Sequence, residues 1–463
     1  MCLLDGLDPS LLKGAQEIAR RLGGAGHQAL LAGGVVRDLL LSRPVSDVDI
    51  ASSAPPEEVE RLFEHTFAIG KQFGVVIVVL EPHQFEVTTF RQEAAYLDGR
   101  HPSQVTFSDA RNDALRRDFT VNALFADPFS GRVIDYVQGS RDLEAGIIRT
   151  VGDPSQRFEE DKLRILRAVR FAANLGFEIE PDTFLQICAS ARNLKQVSWE
   201  RIRDETLKTL TGPDASRGLQ LMAQSGVLQV ILPEVAAMQG VEQPPQFHPE
   251  GDVFVHTCLM FKKAGQVEDL NLALAILLHD VGKPSTFVVK ERIRFDGHAE
   301  VGAKMSDEIC RRLRLSNSQR EEVVELVRHH LRFIHVQEMR GSTLKRFLRR
   351  EGFHKHLELH RLDCLASHGD LSSYEFCLHK LEELAAQPLR PEPLINGRDL
   401  IEMGLAPGPV FGKILGQVED LQLEGVLKSR EAALKWVREW EGEGGKTAQG
   451  PEEERRGWQR KEI

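Results

Sequence analysis

Short apolar runs of strand length occupy the first 150 residues. HQALLAG (27–33), GVVIVVL (74–80), FEVTTF (85–90) and RVIDYV (132–137) are separated by helical stretches and Gly/Pro turns. This pattern predicts an α/β or α+β domain over 1–150. From Asp153 to about Glu441 apolar residues instead recur three and four apart, as in DKLRILRAVRFAANLGF and NLALAILLHD, so the remainder is expected to be helical and free of strands. Pro and Gly cluster in LTGPDAS, VEQPPQFHPEGD and AAQPLRPEP, where the helical part should break. The expected blocks are 151–212, 213–386 and a terminal helical pair over 387–441, followed by a polar, Gly-rich and disordered 442–463.

The densest chemistry lies in LAGGVVRDLLLSRPVSDVDIA (31–51). In a strand Asp47 and Asp49 project together while Val48 turns to the core. Two adjacent carboxylates repel unless a cation sits between them, and hard oxygen ligands suit Mg²⁺ carrying substrate phosphates. Gly33 and Gly34 permit close backbone approach, a helix starting near Val35 offers free N–H groups to an anion, and Arg37 adds positive charge. The competing reading is a tight turn and a surface strand with two solvated aspartates. A second cluster, LRRDFTVNALF, holds Arg116, Arg117, Asp118 and Asn122 within seven residues, which suits phosphate and ribose contacts. The alternative there is a helix beginning at Thr120 with Asp118 as its N-cap.

Composition narrows the class without naming it. A chain of 463 residues, 41% hydrophobic, holds about three domains. Its net charge of -10 argues against binding nucleic acid or membrane through bulk charge, leaving local basic patches to do so. Six scattered cysteines suggest neither a disulfide framework nor a cysteine zinc site, which fits the cytoplasm. Apolar stretches such as LALAILL are too short to span a bilayer.

Taken in order, GGVVRDLL with SDVDIA, FEVTTFR, RRDFTVNAL and RFEEDKLRILRAVRFAANLGF resemble the successive motifs of class II tRNA nucleotidyltransferases, the CCA-adding enzymes, and of bacterial poly(A) polymerases. The resemblance implies a head like the DNA polymerase β nucleotidyltransferase fold, with Asp47 and Asp49 as catalytic ligands of Mg²⁺. It puts Gly33, Gly34 and Arg37 by the triphosphate and Arg116, Arg117, Asp118 and Asn122 on phosphate and ribose. Glu86 is either a third carboxylate or a solvent-facing strand residue.

Beyond Phe158, Asp161 and Arg164 are three apart, expected on one helix face, either as an ordinary ion pair or as readers of a base. Cytosine and adenine both present an amino donor beside a ring-nitrogen acceptor. An aspartate and an arginine therefore admit C and A and leave unpaired groups with U or G. The EDxxR form of this element is the protein template of the class II family. Arg167 and Arg170 continue the helix toward phosphates or solvent.

The long helical block carries His256, His279-Asp280 in HDVGKP, His298, His329-His330 and Asp363. This order resembles the HD superfamily of metal-dependent phosphohydrolases. The resemblance implies His256, His279, Asp280 and Asp363 as ligands of Ni²⁺, Mn²⁺ or Mg²⁺, with His298 and either His329 or His330 at a second metal or a phosphate. A degenerate domain kept for architecture is the alternative. The basic run RGSTLKRFLRREGFHKHLELHR (340–361) is a candidate tRNA contact or a solvated face.

The expectation is a multi-domain enzyme: an α+β head, an all-α nucleotide-selecting neck, a helical HD domain and a helical tail. It would be a cytoplasmic monomer or homodimer, using tRNA, CTP and ATP and no membrane. A poly(A) polymerase and a CC-only or A-only enzyme are near alternatives. The segment YLDGRHPSQVTF, which resembles CCA-adding enzymes, and the absence of a long basic tail favour CCA addition over poly(A) synthesis. An HD phosphohydrolase with a nucleotide-sensing head is a distant alternative, opposed by the complete set of head motifs.

Overall fold

The computed structural model describes residues 3–70, 74–93, 105–246, 248–384 and 392–442. Most of YLDGRHPSQVTF and all of 443–463 lie outside the described residues; Gly442 ends the last helix. The chain divides into two compact units at Pro233 and Glu234.

The first unit opens with the strands β1 (Ala29–Ala32), β2 (Asp49–Ser52), β3 (Thr66–Gly70), β4 (Val75–Leu80), β5 (His83–Thr89), β6 (Arg91–Glu93), β7 (Val105–Phe107), β8 (Leu124–Ala126) and β9 (Val133–Asp135). Seven of them form one sheet in the order β3-β4-β5-β2-β1-β8-β9. The β2–β5 pair is parallel and its neighbours are antiparallel. The four apolar runs read as strands all lie in this sheet. Leu30, Ala32, Ala51, Phe90 and Phe125 bury one face against Ala110, Ala114 and Val151. The stretch after Asp118 is not a helix start: Thr120–Asn122 is one 3-10 turn capped by Phe119, and the chain enters β8 at Leu124, whose side chain is fully buried.

Helices Pro154–Glu160, Arg164–Leu175, Pro181–Ser190 and Trp199–Leu210 follow. Ala215–Gln224 packs on Arg164–Leu175 and Trp199–Leu210, so the break at LTGPDAS falls inside the first unit.

The second unit is helical around Leu270–Leu278, whose residues 272–278 are all buried. The expectation of no strands beyond residue 150 fails at small scale. Ile147–Ile148 pairs in parallel with Glu178–Ile179, and Val288–Val289 forms a hairpin with Ile293–Arg294. Two-residue strands are too short for an alternating pattern to register. Gly397–Glu402, Pro409–Leu423 and Arg430–Gly442 enclose a separate small core of Leu400, Ile414, Val418, Ala433 and Val437. Among the described residues no helix is long and apolar enough to cross a membrane.

Candidate active site

In the first unit, strand alternation does what SDVDIA predicts. Val48 and Ile50 are buried while Asp47 and Asp49 are exposed. Asp47 lies just before β2, and Asp49 is its first residue. The parallel register sets Asp49 opposite Glu86 of β5, which places a third carboxylate beside the pair. Desolvation, then the Glu86 charge, push the Asp49 carboxyl up to about 6, with Asp47 adding to the rise and Arg117 opposing it. Carboxylates clustered in this way fit a divalent cation.

These strands open on a cleft of about 540 Å³. Its lining includes Gly33, Gly34, Arg37, Asp49, Glu86, Arg116, Arg117, Asp118, Asn122, Asp161, Arg164 and Arg167, joined by Arg91, Phe171 and Arg201, which sequence reasoning did not single out. Asp47 borders the site outside this lining, and Arg170 turns away to Glu205 at 2.6 Å.

Each arginine is held before any ligand arrives. Arg37 pairs with Asp38 at 2.8 Å and donates to Asn122 Oδ1 at 2.6 Å. Arg116 and Arg117 both fork onto Asp113, at 2.9 and 3.1 Å from their Nε atoms. Burial alone would raise the Asp113 carboxyl; the two guanidiniums reverse this and hold it low. Gly33 (φ +72°) caps the helix Gly34–Leu40, and a Cβ there would stand 2.8 Å from Arg117 Nη1. Removing Asp113 leaves two arginines clustered without their counter-charge, so Asp113→Ala should cost about 3 kcal/mol. Thermal unfolding of the variant checks this.

Asp118 is committed internally. Arg167 reaches it at 2.6 Å and Asn122 donates to it at 3.3 Å. Burial would raise its carboxyl, but Arg167, with Arg164 and Asn122, holds it down to about 2. Three guanidiniums lie against the Phe171 ring: Arg170 at 4.1 Å, Arg167 at 5.2 Å and Arg37 at 5.4 Å.

Asp161 and Arg164 both reach the cleft, but not from one helix face. The helix Pro154–Glu160 ends at Asp161, which is extended (φ -142°, ψ 106°), and the next helix begins at Arg164. Asp161 caps this break by accepting from Leu163 N at 3.0 Å and pairs with Arg201 at 2.7 Å. Arg164 pairs with Glu160 and donates to the carbonyls of Arg157 at 3.0 Å and Arg116 at 3.3 Å. Asp161 and Arg164 are thus anchored through different partners, Arg201 for the one and Glu160 for the other.

In the second unit the HD residues converge. The ligand atoms of His256, His279 and Asp363 lie within 4.8 Å of one another, as do those of Asp280, His298 and His330. His279 Nε2 and Asp280 Oδ2, 3.1 Å apart, join the two groups. Gly282 lets this corner close, since a Cβ there would meet the His298 carbonyl at 2.2 Å. His330 belongs to the site and His329 pairs with Glu325 at 3.2 Å, which decides between the two. Sequence reading missed Lys283, 2.7 Å from Asp280, and His248 and Glu250 beside His256.

The donor set fits metal. The Nε2 atoms of His256 and His279 are buried and face carboxylates, Asp363 at 3.2 Å and Asp280 at 3.1 Å, and those of His298 and His330 face each other at 3.3 Å. Imidazole and carboxylate groups gathered in this way fit a divalent cation. Burial pushes the His330 imidazole down to about 3, helped by His298 and His279, whereas at His256 burial is overcome by Asp363 and Glu250, which hold it up to about 9, with a proton that a bound cation would displace.

The basic run 340–361 is largely neutralised within its own unit. Arg346 pairs with Glu419 and Asp420 at 2.7 and 2.6 Å, and Arg349 also pairs with Glu419. Lys355 meets Asp269 at 2.8 Å and Glu322 at 2.5 Å, and Arg361 meets Glu358 at 2.7 Å. The pairs of Arg346, Arg349 and Lys355 join separate segments of the unit, and that of Arg361 lies within one helix.

Comparison with known proteins agrees with this division. Residues 29–149 match the poly A polymerase head domain, 176–239 the probable RNA and SrmB-binding site of polymerase A, and 253–363 the HD domain. A Bacillus subtilis CCA-adding enzyme is 40% identical over 277 residues, covering 60% of this chain and 66% of that protein. The match to a Streptococcus gordonii CCA-adding enzyme, 44% identical, covers 48% of this chain and 56% of that protein. The crystal structure of the Bacillus stearothermophilus CCA-adding enzyme in complex with CTP superposes with a TM-score of 0.72 at 28% identity, over 96% of this chain and 100% of that one. An Enterococcus faecalis CCA-adding enzyme is 32% identical over 92% of this chain and 95% of its own length, and on that near-complete match, with the head motifs gathered at one cleft, the chain belongs to the CCA-adding enzyme family.

Proposed function

We infer that this protein adds C, C and A from CTP and ATP to the 3′ end of tRNA without a nucleic-acid template. The observation that carries the reading is convergence: Asp49, Arg116 and Arg117, and Asp161 and Arg164 come from distant parts of the chain and line one cleft. The 3′ hydroxyl attacks the α-phosphate and pyrophosphate leaves. Asp47 and Asp49, with Glu86 beside them, would hold Mg²⁺, whose chemistry is to neutralise phosphate charge and acidify the hydroxyl. Arg37, Arg116 and Arg117, each braced by a carboxylate, bind the triphosphate with little reorganisation. Asp161 accepts from the base amino group; its carboxylate has about four acceptor positions, and Leu163 N and Arg201 account for two. Arg164 donates to the ring nitrogen.

The deciding experiment gives the protein a tRNA lacking its terminal CCA. CTP alone should add two residues, and CTP with ATP should complete the end and stop. A long adenosine tract from ATP alone would indicate a poly(A) polymerase, and arrest after CC a CC-only enzyme.

Arg164→Ala should lower discrimination of CTP over UTP, as a ratio of kcat/KM, by about ten- to a hundredfold. Lost triphosphate binding would weaken every nucleotide equally and leave that ratio unchanged, which would sink the template role.

A second reading rests on the other unit. The HD cluster, with its converging Nε2 atoms, supports a metal-dependent phosphohydrolase alongside nucleotide addition. His256, His279, Asp280 and Asp363, with His298 and His330, would hold Ni²⁺, Mn²⁺ or Mg²⁺, which supplies an activated water at neutral pH. Lys283, held by Asp280 and by Gln243 at 2.7 Å, brings a positive charge to the phosphate.

A further inference from the structure

Three of the four histidines in the HD cluster are aimed by one device. His279, His298 and His330 each donate Nδ1–H to the backbone carbonyl three residues earlier: Ile276 at 3.0 Å, Phe295 at 2.8 Å and Val327 at 2.7 Å. That bond selects the tautomer and leaves the Nε2 lone pair for the site. His256 is the exception. The carbonyl three residues before it, Val253, accepts the Thr257 hydroxyl at 3.0 Å. His256 Nδ1 instead meets Glu250 Oε1 at 2.6 Å, and the same oxygen takes Nδ1 of His248 at 2.8 Å.

Glu250 comes from VEQPPQFHPEGD, a segment whose composition reads as a linker. Its side chain is only 7% exposed, and its second oxygen is buried without a hydrogen-bond partner. Burying a carboxylate this way costs several kcal/mol unless something requires the charge.

We propose that Glu250 is the positioning residue of the HD metal site, holding His256 in its Nδ1–H tautomer so that Nε2 joins His279 and Asp363 as a ligand. The inference rests on the reading of this cluster as a metal site. A carboxylate behind a ligating imidazole fixes the ring and strengthens it as an electron donor. His248, on the same oxygen, keeps the carboxylate from rotating away. In the other group His298 and His330 are aimed through backbone carbonyls and Asp280 is held by Lys283, so it does not depend on Glu250.

The test is a calorimetric titration of the full-length protein with Ni²⁺ in excess Mg²⁺, so that the head carboxylates are already occupied. Wild type, Glu250→Ala, Glu250→Gln and His279→Ala are compared, the last defining which heat belongs to the HD cluster. Glu250→Ala should weaken that binding by about ten- to a hundredfold. Glu250→Gln, which keeps an oxygen for Nδ1–H but loses the charge, should fall between, a graded rescue that a purely architectural role would not produce. Equal Ni²⁺ affinity in wild type, Ala and Gln overturns the positioning role and leaves the metal site standing. Absence of HD-cluster heat in the wild type overturns the metal reading and this inference with it. If the alanine variant fails to fold, wild-type affinity in Glu250→Gln overturns the proposal by itself.

Discussion

Asp49→Ala is expected to abolish nucleotide addition, by more than about a thousandfold, while the protein stays folded. The size follows from removing a ligand of an ion whose stabilisation of phosphate charge is worth several kcal/mol. The intact fold follows from the electrostatics. Asp49 shares its corner with Asp47 and Glu86; desolvation first, then the charges of Glu86 and Asp47, push its carboxyl up to about 6, so the carboxylates repel in the absence of a cation. Deleting one relieves that repulsion and exposes no core, because Asp49 faces solvent between the buried Val48 and Ile50. Asp49→Asn, which keeps the shape and loses the charge, should be as inactive as the alanine variant. The measurement is incorporation of labelled CMP and AMP into tRNA, with thermal unfolding as the control on structure. Retained incorporation in either variant would remove the pair from the reaction.

What made this site legible was its local geometry. Alternation in SDVDIA set Asp47 and Asp49 against Val48 before any partner was known, and the order of the head motifs carried the rest. What stayed hidden depended on distant segments. Glu86 gains its place only because β2 and β5 run parallel with Asp49 in register with it. Arg201 anchors Asp161 from a helix forty residues on, and nothing in SWERIRDE distinguishes it from any other surface arginine. Asp113 lies near Arg116 and Arg117 in the sequence, yet its burial depends on the packing of Ala110 and Ala114 into the sheet core. The same limit produced the error at Asp161 and Arg164. A three-residue spacing implies a shared face only if the helix is continuous, and here it breaks between them.

The HD site shows the opposite balance. Its residues were readable through the resemblance of their order to the HD superfamily, and the apolar helix Leu270–Leu278 that leads into HDVGKP accounts for the burial of His279 and Asp280. His248 and Glu250 were missed because prolines and glycines around them resemble a linker, although His256 relies on Glu250 for the bond its helix does not provide.

Substituting His279 and Asp280 together with alanine is expected to remove phosphohydrolase activity and spare CCA addition. Both side chains lie in the second compact unit, and the head cleft is built from residues of the first. His279 contributes to the group with His256 and Asp363, and Asp280 to the group with His298 and His330, so the double change removes one ligand from each. Burial would raise the Asp280 carboxyl, but His279, Lys283 and His298 hold it well below the usual carboxylate range. Losing that charge leaves buried Lys283 with Gln243 and the Phe295 ring but no counter-charge from Asp280, so a fall in unfolding temperature should accompany the lost activity. The assay is release of phosphate from nucleoside 2′-phosphates, and ring opening of 2′,3′-cyclic phosphates, with Ni²⁺, Mn²⁺ and Mg²⁺ supplied in turn. Imidazole-rich ligand sets favour the transition metals, so activity should rank Ni²⁺ or Mn²⁺ above Mg²⁺. A wild-type protein that hydrolyses none of these with any of the three ions would make the domain architectural. A double variant that loses CCA addition while still folded would show that the two activities share more than a chain.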